Sequence, residues 1–209
     1  MNNIFEYIND ITMIGRLCYL FMAIEKYLTI LYDSRDWTPI ARRMWQWTEH
    51  DWNTGYGNYS CIIPQFIFGF RTDKEIEQQP YYGYDFQPAV KTYEDYKGPL
   101  DENEYKMVIA CYSGITDGNP DDEINKVLML PYEFWSATEG TSFIAAEPAV
   151  NQVIRDMNDY LLKHGIDYPD INNCRVFSFE RKPNSGIGVV EPGWGKTVNT
   201  EYMSIILNK

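Results

Sequence analysis

The stretch ARRMWQWTEHDWNTGY (41–56), with Trp37 just before it, gathers four of the chain's six tryptophans beside Arg42, Arg43, Glu49, His50 and Asp51. Such a cluster is either an exposed aromatic platform or the inside of a fold. Thr38 suits a helix cap and Pro39 the first helical position, where a missing N–H costs nothing. Turning each residue by about 100° from Ile40 collects Trp47, Ile40, Met44, Ala41, Thr48 and Trp45 in one arc of roughly 160°. Thr38, Arg42, Arg43, Gln46, Glu49 and His50 fill the other side. The separation predicts that Trp45 and Trp47 point into the core. Trp52, beside Asp51 near the end of the pattern, is the tryptophan best placed for a surface rim, where an indole is an effective interface anchor.

Upstream, apolar residues recur at Ile4, Ile8, Ile11, Ile14, Cys18, Phe21, Ile24, Leu28 and Leu31. This spacing predicts one long helix or two short ones, with Asn9, Asp10 and Gly15 as the points where it could break. NTGYGN (53–58) predicts a turn, and YSCIIPQFIFGF (59–70), interrupted by Pro64, a short helix or irregular packed segment. Residues 79–100 mix Pro, Gly and Tyr without a period and predict a long ordered loop. Its Tyr81, Tyr82, Tyr84 and Phe86 are expected to pack on the helical body, an aromatic partner-binding loop being the alternative. Helices are predicted over 102–115, over 121–135 with Asp121 and Asp122 at its start, and over 148–165, opened by Pro148 and closed by Lys163, His164 and Gly165. The period then changes, and 173–182, 187–191 and 202–208 read as short strands. The expected fold is a single α+β domain over 1–209, mainly helical. Its helical body covers 1–165, and a small C-terminal antiparallel β-sheet lies within 171–208.

With 209 residues, 44% of them hydrophobic and 16% aromatic, the chain can bury a core large enough to offset its conformational entropy. Thirty acidic against eighteen basic side chains give a formal charge of −12. That field repels phosphate backbones and anionic lipid, which argues against nucleic acid and membrane surfaces as partners, and it speeds encounter with a basic protein. Cys18, Cys61, Cys111 and Cys174 lie far apart with no Cys-x-x-Cys pair and read as buried free thiols. MNNIFEYIND (1–10) carries acid where a secretory signal carries Lys or Arg, and LCYLFMAI (17–24) is far short of a membrane span, so a cytoplasmic location is expected.

No motif commits the chain to catalysis. PGWGKT (192–197) ends like a phosphate loop, but Val190 stands where the first glycine is required. DGNPDDE (117–123) has the composition of a calcium loop, yet Asp122 occupies the glycine position and Pro120 intrudes, so a helix-capping turn is expected. His50 and His164 lie 114 positions apart with no metal-ligand spacing; no metal and no cofactor are expected. Glu139 and Glu147 could meet as a carboxylate pair, and with His50 they are the residues an unrecognised hydrolase-type enzyme would use. The acidic run remains. Glu94, Asp95, Asp101, Glu102 and Glu104 face only Lys97 and are interleaved with Tyr93, Tyr96 and Tyr105, a composition suited to an interface with a basic protein. The expected partner-binding residues are Asp51, Trp52, Tyr93, Glu94, Asp95, Tyr96, Asp101, Glu102 and Glu104, with no catalytic residue assigned.

The run LCYLFMAIEKYLTILYDSRDWTPIARRMWQWTEHDWNTGY (17–56) resembles the N-terminal part of predicted immunity proteins of bacterial polymorphic toxin systems. The resemblance is carried by Glu25-Lys26 on one helix, a short break, then Trp45, Trp47 and Glu49 on the next, and it covers about a fifth of the chain. It implies a non-enzymatic cytoplasmic antidote that binds a cognate toxin, and the acidity suits a basic toxin such as a nuclease. A small hydrolase and a structural interaction domain remain the alternatives.

Overall fold

The computed structural model describes residues 7–69, 92–96, 98–178, 195 and 197–209. Seven α-helices are assigned there: α1 (Met13–Leu31), α2 (Thr38–Gln46), α3 (Trp52–Ser60), α4 (Pro64–Ile67), α5 (Glu102–Tyr112), α6 (Glu123–Thr138) and α7 (Phe143–Lys163). Short 3-10 turns follow at Trp47–Glu49, Ile171–Phe177 and Glu201–Met203.

The periodic N-terminal segment breaks at Asn9-Asp10, and α1 restarts where the Thr12 hydroxyl accepts the Gly15 N–H at 3.2 Å. Every residue from Met13 to Glu25 is buried, so α1 is enclosed all round rather than along one stripe. It packs against α2, α6, α7 and the Ile171–Phe177 turn. Gly15 is no break: a Cβ there would lie 2.6 Å from Phe177 Cβ, so the missing side chain lets the turn lie directly on the helix. A buried Arg16 fastens the same end. Its guanidinium donates to the Ile11 and Asn9 carbonyls, to Asn151 Oδ1 and to Glu147 Oε1 at 2.7 Å, and lies over the Phe143 ring.

Helix α2 begins at Thr38, with the Asp36 carboxylate accepting the Thr38 N–H at 2.9 Å. Trp45 and Trp47 are completely buried, whereas Arg42, Glu49 and His50 are exposed, so the helical wheel describes the real faces. The Trp47 ring meets Phe21, Trp52, Tyr56 and Tyr59 at centroid distances of 5.5–6.1 Å. The predicted 53–58 turn is instead helix α3. Its two glycines are poor helix formers, but Gly55 faces Trp47, and close packing of the helix on that indole outweighs the weak propensity.

The α+β assignment is incorrect for the described residues. They contain no strand, and β pairing is confined to an isolated bridge between Ile11 and Ser178. Of the segment expected as strand 173–182, the part through Phe177 belongs to a 3-10 turn, opened by the Asp170 carboxylate accepting the Asn172 N–H at 3.0 Å, and 179–182 lie outside the described residues. The segment 202–208 fails as a strand because its backbone donors are spent elsewhere. Ser204 Oγ accepts the Ile206 and Leu207 N–H groups, and Glu25 Oε2 accepts that of Ile205. The 187–191 strand lies outside the described residues, as do Tyr81, Tyr82, Tyr84 and Phe86. Nor does Pro148 open α7; that helix starts at Phe143, with the Ser142 hydroxyl accepting the Ala145 N–H, and holds Pro148 inside it.

The C-terminal segment is laced over the first two helices. Val198 N–H donates to the Thr48 carbonyl, Thr200 and Thr48 hydroxyls meet at 2.6 Å, and Ser204 Oγ donates to Glu25 Oε1 at 2.5 Å. Trp45 Nε1 donates to that same carboxylate at 2.7 Å. Glu25 is fully buried, and desolvation outweighs its hydrogen bonds from Ser204, Trp45 and Ile205, pushing its carboxyl above the ordinary glutamate range.

Two tests follow from this packing. Gly55→Ala would place a Cβ 2.2 Å from Trp47 Cδ1, whereas a Cβ at Gly57, on the same helix, meets nothing within 4 Å. In urea titrations the first substitution should destabilise by about 2 kcal/mol or more and the second should stabilise by about 0.5–1 kcal/mol. Glu25→Ala orphans three donors and should cost about 3–5 kcal/mol. Because the folded carboxyl holds its proton more tightly than the unfolded one, wild-type stability relative to Glu25→Gln should be greatest below pH ~4.3 and should fall as pH rises through the raised folded value. A difference that grew with pH would contradict this assignment.

Candidate protein-binding surface

The acidic run lies at the start of α5, and much of it is occupied with the fold. Asp101 Oδ1 accepts the Glu104 N–H at 2.9 Å while Glu104 Oε2 accepts the Asp101 N–H, a reciprocal capping box. Glu104 also reaches Arg43 of α2 at 2.5 Å, and Glu102 pairs with Lys106 one turn on. Asp95 accepts from the Thr92 backbone and hydroxyl. The rings of Tyr93, Tyr96 and Tyr105 form a mutual cluster with centroids 5.0–6.3 Å apart, Tyr105 buried and the other two half-buried. The Tyr93 hydroxyl donates to the Leu100 carbonyl. Glu94, Asp101 and Glu102 are the exposed carboxylates of this patch.

Asp51 and Trp52 lie elsewhere. They stand at the N-terminal end of α3, where Asp51 Oδ1 accepts the Thr54 N–H and the exposed carboxyl is held below its usual range by Thr54. The Arg43–Glu104 pair neighbours Cys61, just beyond the other end of α3, nine residues and about 13 Å away. The expected interface is therefore two patches. Trp52 is half-buried, donating from Nε1 to Thr138 Oγ1 at 2.8 Å and packing on Trp47 and Phe134. It opens a half-buried aromatic rim that sequence reasoning did not find. Tyr56 stacks on Trp135 at 4.1 Å, and Tyr132 touches Tyr56, Trp135 and Phe66. The signal was available as i,i+4 spacing of Trp52 and Tyr56 and i,i+3 spacing of Tyr132 and Trp135, but only packing of α3 on α6 joins the two pairs.

The residues considered for catalysis have separate environments. His50 is exposed at the end of the Trp47–Glu49 turn. His164 ends α7 and contacts Glu123, the first residue of α6, which also engages Lys163 and accepts the Tyr27 hydroxyl at 3.0 Å. Desolvation opposes ionisation of Glu123, but donors from Lys163, His164 and Tyr27 prevail and keep its carboxyl below the ordinary range. Glu147 is committed to Arg16, whereas Glu139 is exposed at the end of α6. Residues 117–123 form side-chain-capped turns leading into α6, Asp117 and Asn119 each accepting an N–H two residues on. PGWGKT is described only at Gly195 and Thr197. All four cysteines are free and buried, and burial pushes the Cys61 and Cys111 thiols up to about 12.

Two clefts open on the surface. A cleft of about 520 Å³ mixes Arg35, Arg42 and Lys209 with Asp36 and Glu201 over a floor including Trp37. A smaller one of about 280 Å³ lies between α6, α7 and α4. Among the described residues no helix is long and apolar enough to cross a membrane, and no group of three or more His, Cys, Asp or Glu side chains is placed to hold a metal ion.

The acids thus divide by role, and stability measurements separate them. Asp101→Ala should lower stability by about 1 kcal/mol through loss of the cap, while Glu102→Gln, at an exposed pair with Lys106, should change it by less than about 0.5 kcal/mol; equal effects would refute the division. No family model, curated protein or solved structure matches the chain.

Proposed function

We propose that this chain is a non-enzymatic binding protein of the immunity type, which neutralises a cognate basic protein toxin in the bacterial cytoplasm. The observation that carries the reading is how the cations are used. Arg16, Arg43, Lys106, Lys126 and Lys163 pair with acids of the same chain, while Lys26 and Arg35 donate to backbone carbonyls. Glu49, Asp51, Glu94, Asp101, Asp117 and Asp159 are exposed, so among the described residues acidic side chains face outward, in keeping with the net charge of −12 of the sequence. Rigid acidic surfaces of this kind accelerate and select encounters with basic partners.

The resemblance over 17–56 supports the same reading in a specific way. Glu25 and Trp45, two residues that carry it, bond to each other inside the core, so the shared pattern is one of architecture. The toxin-facing residues would then lie on the exposed acids, among them Glu94 and Glu102 outside that stretch.

The decisive experiment is co-expression with the product of the adjacent upstream gene. That product alone should arrest growth, and this chain should restore it. In vitro, association of the purified pair should slow about tenfold or more between 50 mM and 500 mM salt, because exposed charges are screened over a few ångströms at the higher strength. A harmless upstream product, or a toxic one that this chain does not neutralise, rejects the proposal.

A further inference from the structure

The cleft of about 280 Å³ is bounded by Asn125, Lys126, Met129, Leu130 and Glu133 of α6, Asp156 and Tyr160 of α7, Gln65 of α4, and Pro120. The α6 residues follow i, i+4 spacing, which puts them on one side of that helix. Two carboxylates on facing helices, Glu133 and Asp156, therefore share one small depression. They repel each other: Glu133 is exposed at the edge of the depression, and partial desolvation first, then the Asp156 charge, raises its carboxyl above its usual range. The cation of the cleft is otherwise engaged, since Lys126 pairs with Asp121 at 3.6 Å. Met129, Leu130 and the Tyr160 ring supply an apolar wall, and Tyr132 and Phe66 of the aromatic rim flank it in sequence on α6 and α4.

An independent observation comes from Asn125. It is only 1% exposed and lines the same cleft. Its Oδ1 accepts the Gln65 N–H at 2.8 Å, which fixes the orientation of the amide, because only the oxygen can accept. Its Nδ2 donates to no group among the described residues. A nearly buried amide on a cleft wall with unspent hydrogens can donate to an acceptor from outside in place of water.

We infer that this cleft receives a lysine or arginine side chain of the protein partner, its cation between Glu133 and Asp156 and its main-chain carbonyl on Asn125 Nδ2. The stem of such a side chain lies on Met129 and Leu130, and the cation meets the Tyr160 ring, an arrangement that long basic side chains favour. A free metal ion would leave the apolar wall and the amide unused. A phosphate or carboxylate ligand would meet the two acids and be repelled. The inference rests on the proposed function for the identity of the partner, but not for the chemistry of the cleft.

The test therefore needs no toxin. The full chain, labelled at methionine methyls and backbone amides, is titrated by NMR with Nα-acetyl-lysine N-methylamide and Nα-acetyl-arginine N-methylamide. Nα-acetyl-norleucine N-methylamide is the uncharged control. Saturable shifts are expected at Met129, Glu133 and Tyr160 with millimolar affinity for the two cations, and binding of the control at least about tenfold weaker. Glu133→Gln with Asp156→Asn should remove the preference for the cations over norleucine, and Asn125→Ala, which withdraws the amide donor without adding charge, should weaken both cationic probes about fivefold or more. Circular dichroism and urea midpoints establish that each variant is folded; should Asn125→Ala not fold, the double carboxylate variant decides alone. No saturable shift, equal binding of norleucine, or cation binding unchanged in the double variant overturns the inference. If the upstream gene product proves unrelated, these titrations still read the cleft; if the toxin is neutralised yet binds the double variant as tightly as wild type, the cleft is rejected as the partner's contact while the antidote function stands.

Discussion

A single buried carboxylate ties the described parts of this molecule together. Glu25 sits in the middle of the central helix and takes hydrogen bonds from the Trp45 indole of α2 and from Ser204 and Ile205 of the C-terminal segment. A lone acid in such a place would be expensive; one that satisfies three donors from two other elements fixes their positions instead. The consequence reaches along the chain. With Ile205 N–H committed to Glu25 and the next two N–H groups to Ser204, the C-terminal residues have no donors left for a strand ladder and wrap the α1–α2 pair as turns.

Around this junction the aromatic residues act as spacers of defined shape. Trp47 is enclosed by four other rings, and its Nε1 is buried with no acceptor among the described residues, a cost that the packing of the indole must exceed. Gly55 belongs to the same solution, since α3 approaches the indole so closely that no side chain fits. Arg16 repeats the logic of Glu25 at the other end of α1, with a buried cation answered by Glu147, Asn151 and two carbonyls. Buried polar networks of this kind specify one arrangement among many apolar ones.

The surface follows from what the interior consumes. Arg16 and Arg43 are drawn into pairs with Glu147 and Glu104, and acids at helix starts are partly used there too, as Asp101 and Glu104 are. A composition count treats all five acids of that run alike, whereas the structure separates Asp101 and Glu104, which hold the start of α5, from the exposed Glu94 and Glu102. The same separation moves interest toward α6 and α7, where Glu133 and Asp156 face each other in a cleft that local sequence could not reveal.

Local periodicity determined the helical character of the chain, the inward face of α2, the burial of the cysteines, and the break before α1, because each depends on neighbours within a turn or two. Short-range pattern misjudged α3, the start of α7 and the C-terminal segments, where long-range partners override propensity. Trp47 makes a glycine-rich turn into a helix, and Glu25 turns apparent strands into a strap. Which acids meet a partner, and that Asn125, Glu133 and Asp156 share one depression, depends on helices distant in sequence being brought side by side. That juxtaposition is a property of tertiary packing, to which no local rule of spacing has access.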